Sequence, residues 1–136
     1  MENIRTSRID RHLYINFIRR SKECINTAAD AYQKKDYNAG AICSVHSAIS
    51  AADALCVYYL QKRHTGLRHD DAVRLLESIK DIPNVEIKEA GKRLKKIISM
   101  KNVAEYEERL IKQKEAENLL ENAKVLFEFI KSKLPE

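Results

Sequence analysis

Apolar residues recur along this chain at spacings of three and four, the period of an α-helix that buries one face. From Arg8 to Lys34 the inward positions are Leu13, Phe17, Ser21, Ile25, Ala28 and Tyr32, which predicts one long amphipathic helix. Its solvated face carries Arg11, Arg19, Arg20, Lys22 and Glu23. Lys34 to Asn38 breaks the pattern, with Asp36 placed to cap the next helix. That helix, Ala39 to Leu60, is different in kind: its 22 residues include no Lys, Arg or Glu, and Asp53 is its single charged side chain. Ala41, Val45, Ala48, Ala52, Leu55 and Tyr59 form one apolar stripe, and Ile42, Ile49, Cys56 and Leu60 a second. A helix apolar nearly all round belongs at the centre of a fold, here paired with the first helix as an antiparallel hairpin.

The chain then turns polar from Gln61 to Asp71, QKRHTGLRHDD, with Gly66 able to take the positive φ that ends a helix. A short helix is predicted from Asp70 to Lys80, inward through Val73, Leu76 and Ile79, and Pro83-Asn84 interrupts it. A fourth helix runs from Val85 to Met100, with Ile87, Ala90, Leu94, Ile97 and Ile98 inward and Lys88, Lys92, Arg93, Lys95 and Lys96 outward. A connector, Lys101 to Tyr106, leads to a last helix from Lys112 to Lys133, buried through Ala116, Leu119, Ala123, Leu126, Phe127 and Ile130. The fold class expected from this pattern is all-α, with four main helices plus one short helix. It forms a single domain over residues 1–136.

Composition narrows the function classes. Three Gly and two Pro in 136 residues favour helices over sheet, and this length supports a single core without a disulfide or metal. Cys24, Cys43 and Cys56 are odd in number and widely spaced, and they read as reduced core thiols of a cytoplasmic protein. No CxxC and no His/Cys pair at ligand spacing occurs, so no metal or cofactor is expected. A net charge of +5 attracts polyanions, but surface lysines also serve solubility, so the basic fourth helix is read first as a solvated face. The central helix is long enough to cross a bilayer, yet it holds three Ser, a His and an Asp, and a central Asp alone costs roughly 3 kcal/mol on insertion. With no apolar N-terminal segment that reads as a signal peptide, no membrane association is expected.

His46 and Asp53 are the polar exceptions on the central helix. Seven residues is nearly two turns, so both leave the helix in one direction. They are either satisfied by hydrogen bonds to neighbouring helices or line a cleft.

The order of short motifs resembles the HEPN family. The motifs are the long first hairpin, the Tyr37-Asn38-Ala39 entry to an Ala-rich helix with internal Asp53, His69 before a short helix ending in Leu75-Leu76, Lys101-Asn102, Ala104-Glu105-Tyr106, and Ala116-Glu117 of the last helix. The resemblance runs from Arg8 to Leu134. It implies that the helices form an antiparallel up-and-down helical bundle, four main helices plus one short helix, and a homodimeric module that binds a nucleotide, or that partners a small nucleotidyltransferase in a toxin–antitoxin-like pair. Other members are metal-independent RNases whose Arg is followed, four to six residues on, by a His, and Arg63 and His69 meet that spacing. In that chemistry His69 moves the proton of a ribose 2′-hydroxyl and Arg63 stabilises charge on the phosphate. In the toxin-like members the motif opens a later helix, and the comparable place here, Lys101 to Tyr106, contains no His.

The first reading is therefore a non-enzymatic binding module whose ligand site combines His46, Asp53, His69, Lys101 and Tyr106. Lys101 and Arg63 would hold phosphate oxygens, with an RNA or nucleotide as ligand. The readings beside it are an RNase using Arg63 and His69, and a structural dimeric adaptor in which Arg63, Arg68, Asp70 and Asp71 make exposed ion pairs while His69 caps the short helix.

Overall fold

A computed structural model describes residues 4–135; residues 1–3 and 136 of the expected domain lie outside it. The long hairpin is present as α1 (Tyr14–Gln33) and α2 (Tyr37–Leu60). The reversal between them uses Lys35 at φ 65° and a bond from the Asp36 N–H to the Ala31 carbonyl at 2.9 Å. Asp36 does stand at the cap of α2, but its side chain makes no capping bond.

Small residues bring these two helices close. The Ser21 hydroxyl donates to the Ser47 carbonyl at 2.7 Å, the Ser47 hydroxyl donates to the Ser21 carbonyl at 2.9 Å, and the two hydroxyl oxygens lie 3.0 Å apart. Two turns nearer the loop, a Cβ on Gly40 would lie 3.4 Å from the Ala28 carbonyl oxygen. Bulkier side chains at these levels would hold the backbones apart.

Two segments depart from the all-helical expectation. Thr6–Arg8 (β1) pairs antiparallel with Lys62–His64 (β2), Ser7 opposite Arg63, and a 3-10 turn over Arg11–Leu13 leads into α1. So the first helix starts at Tyr14 rather than Arg8. Gly66 is not the residue that ends α2: no described glycine has positive φ, and Gln61, at φ 52°, takes the left-handed conformation instead. That turn sends the chain back beside its own N-terminal segment. Strands of three residues carry too little alternation to register as a pattern.

α3 (His69–Glu77) and α4 (Asn84–Ile98) follow, then α5 (Lys101–Glu105) and α6 (Gln113–Ser132). The connector predicted at Lys101–Tyr106 is thus largely helical. Arg68, not His69, holds the cap position of α3, and His69 is its first residue. At α6 the Glu115 carboxylate accepts the Lys112 N–H at 2.9 Å and a two-pronged contact from Arg109, which holds its pKa down to about 2.

α2 packs against α1, α6 and α4, and 14 of its 24 residues are buried, so its membrane-spanning length is spent inside the bundle. Ala41, Val45, Ala48, Ala52 and Leu55 of its first stripe are buried against Leu94 and Ile97 of α4 and Leu126 and Ile130 of α6 in one core. Its second stripe lies mostly at the margin: Ile42, Ile49 and Leu60 are half-buried and His46 is exposed, while Cys56 is buried. Of the cysteines only Cys56 is a core thiol; Cys24 and Cys43 are half-buried.

Candidate functional site

The candidate site is built where α5 is tied to the start of α2. The Asn38 amide donates to the Ala104 carbonyl at 2.6 Å and its oxygen accepts the Ile111 N–H at 2.9 Å. One side chain thus satisfies backbone groups on both sides of the irregular stretch between α5 and α6. Ala104 is buried beneath it, which turns Glu105 inward.

Glu105 links two elements. Its Oε1 accepts from Lys101 Nζ at 3.1 Å, one turn back along α5, and its Oε2 lies 3.3 Å from His46 Nε2 on α2. The Lys101 ammonium also lies 5.6 Å from the centre of the Tyr106 ring, a cation–π distance. Lys101, Asn102 and Tyr106 then form one wall of a cleft of about 380 Å³. Lys95, Ile98 and Ser99 at the end of α4 form a second wall, and His69, Asp70 and Val73 at the start of α3 a third. The positive end of α3 faces this space together with two lysines. Asp70 is the one carboxylate on its walls.

Asp53 belongs to a different place. Arg63 Nε donates to its Oδ2 at 3.2 Å, and the Arg63 guanidinium also stands 5.2 Å from the Phe17 ring centre. A small cavity of about 70 Å³ lies between Asp53, Arg63 and His64 and the apolar side chains of α3 and α4. Burial raises the Asp53 pKa to about 6, outweighing the pull of Arg63, which lowers it. The His64 pKa is lowered, chiefly by burial, and its Nε2 is buried without a hydrogen-bond partner among the described residues.

The Asp53 shift predicts a pH dependence. The folded carboxyl holds its proton more tightly than the unfolded one, whose pKa is 3.8. Its contribution to stability is therefore full below pH 3.8 and is lost as pH rises through about 6, a change on the order of 2–3 kcal/mol. Asp53→Asn removes that titration, so the stability of the variant relative to the parent should rise between pH 4 and 7. Urea unfolding at several pH values checks this, and a gap that stays constant with pH would refute it.

The structure thus divides the five residues predicted to form one pocket. His69, Lys101 and Tyr106 share the cleft, and His46 is joined to it from behind through Glu105. Asp53 is drawn away to Arg63, and the two turns separating it from His46 are enough to give each its own partner. Arg63 and His69 line separate cavities. Arg63, expected to hold phosphate beside Lys101, is engaged by Asp53 instead, because the β1–β2 pairing lays β2 over α2. Sequence reading missed Lys95, Asn102, Glu105 and Asn38 as site residues. The four-residue spacing of Lys101 and Glu105 was a usable signal for one of them. Asn38 stood out only within the Tyr37-Asn38-Ala39 motif, and nothing local showed what it bonds, since its two partners lie 66 and 73 residues away.

Comparison with known proteins agrees with this architecture. No curated protein matches the chain. Among solved structures, the crystal structure of TT1696 from Thermus thermophilus is similar with a TM-score of 0.65, over 90% of this chain and 98% of that one. At 18% identity this likeness establishes the shared fold. The family model for the HEPN domain matches residues 14–133, from the first residue of α1 to just past the end of α6. The chain therefore belongs to the HEPN domain family.

Proposed function

We propose that this HEPN protein is a nucleotide-binding module and that the cleft between α3, α4 and α5 is its ligand site. The observation that carries the reading is the meeting of Lys95, Lys101 and His69 around one exposed aromatic ring, Tyr106, in a cleft of about 380 Å³. That volume falls in the range of small-ligand sites. Phosphate oxygens are held by the two ammonium groups, the base lies on the Tyr106 ring, and the Asn102 amide and Ser99 hydroxyl supply polar contacts. Family membership supports extending the reading to a homodimer that partners a small nucleotidyltransferase in a toxin–antitoxin-like pair, the chain itself being non-catalytic.

Calorimetric titration with nucleoside mono- and triphosphates tests this. Lys95→Ala with Lys101→Ala should weaken binding by about tenfold or more, with the helical spectrum unchanged, and raised salt should weaken it further. Asp53→Asn should leave affinity as it was. Equal affinity in the double variant, or no binding by the parent protein, would remove the assignment.

A further inference from the structure

We propose that Cys24 and Cys43 form a redox modification site, a dithiol that a hydroperoxide converts to a disulfide bridging α1 and α2. The argument starts from the register of the hairpin. Ser21 and Ser47 face each other in reciprocal hydrogen bonds, and Ala28 faces Gly40 two turns nearer the loop, so the levels of the two helices are set at both points. Cys24 lies three residues after Ser21 and Cys43 four residues before Ser47. In an antiparallel pair both steps lead about one turn toward the loop.

The steps also rotate the side chains. Three residues forward on α1 turn Cys24 about 60° off the line of contact, and four residues back on α2 turn Cys43 about 40° off it. Because both helices are right-handed and run in opposite directions, these rotations lead to the same flank of the interface. With axes roughly 8–9 Å apart, ideal helices then set the two Cα atoms about 5–6 Å apart, inside the span of roughly 4.4–6.8 Å that a disulfide bridges. A flank position also accounts for the partial exposure of both thiols, in contrast to buried Cys56, and so for access of a small oxidant. Charge on Cys43 also raises the Cys24 pKa, second to burial.

The chemistry balances with the hydroperoxide as the two-electron oxidant. A thiolate of the pair attacks the peroxide oxygen, the O–O bond breaks, and a sulfenic acid and water (or an alcohol) result. The second thiolate attacks that sulfur, the S–O bond breaks, and the hydroxide leaves as water with a thiol proton. Both thiols are held protonated by burial, so oxidation accelerates with rising pH.

The experiment treats the purified protein with hydrogen peroxide at neutral and alkaline pH, alkylates the remaining thiols, and reads intact mass and peptide linkage. The expected product has lost two hydrogens, retains one alkylatable thiol at Cys56, contains a Cys24–Cys43 cross-linked peptide, unfolds at a higher temperature, and reverts with dithiothreitol. Cys24→Ser should abolish the intramolecular product and Cys56→Ser should leave it. Accumulation of sulfinic acid without the cross-link, a cross-link through Cys56 or between two chains, or thiols that remain unoxidised would overturn the proposal.

Discussion

Replacing Asn38 with alanine is expected to lower the stability of the protein by about 3 kcal/mol and to loosen the candidate site at the same time. The side chain makes two bonds, to the Ala104 carbonyl within α5 and from the Ile111 N–H just before α6. Ala104 and Ile111 are themselves buried, so water does not readily replace what the amide supplied. Each group left without a partner costs roughly 1–3 kcal/mol. Since α5 carries Lys101 and Glu105, freeing it also disperses the wall of the cleft formed by Lys101, Asn102 and Tyr106. Asn38→Asp should be damaging as well, because it keeps the acceptor for Ile111 but puts a carboxylate oxygen against the Ala104 carbonyl. Urea unfolding gives the first quantity and hydrogen exchange over residues 101–111 the second. A loss under about 1 kcal/mol with unchanged protection would show that α5 is held by something other than this amide.

The second large effect is expected at Ser47. Its hydroxyl oxygen lies 3.0 Å from that of Ser21, and both side chains are fully buried between α1 and α2. Ser47→Leu introduces a branched side chain where two hydroxyl groups already touch, so the helices must separate along their length. Overpacking of this kind costs about 3 kcal/mol, and the reciprocal bonds are lost in addition. Ser47→Ala keeps the close approach and loses one hydroxyl, for a cost near 1 kcal/mol. The difference between the two substitutions isolates the steric part. Equal costs would mean that α1 and α2 do not meet as closely as the paired serines indicate.

The same close approach decides how much could be read without a structure. A serine at Ser21 in an apolar stripe is legible as inward-facing, because periodicity alone places it there. That it clasps Ser47, and that Cys24 and Cys43 thereby fall on one flank, depends on the register between two helices, which neither helix encodes alone. The candidate site shows the same division. Lys101 and Tyr106 stood out as a cation and an aromatic residue in a short polar connector, and His69 as the residue just before a short helix. Lys95, by contrast, sits among four other basic residues of α4 that look alike along the chain. Only the approach of α3 and α5 to the end of α4 singles it out.

By itself, then, the sequence determined the five longer helices, which faces they bury and which helix is central, because these follow from repeated local spacing over many residues, whereas the five-residue α5 is too short to show it. Its motif order also pointed to the HEPN family. The tertiary structure alone decided that Asp53 serves Arg63 rather than a shared pocket with His46, that a three-residue strand pair closes over the end of α2, and that Asn38 anchors α5. Each of these is one contact between residues far apart in the chain or on different elements. A single contact leaves no periodic trace; it exists only once packing of the whole core has set the distances between helices.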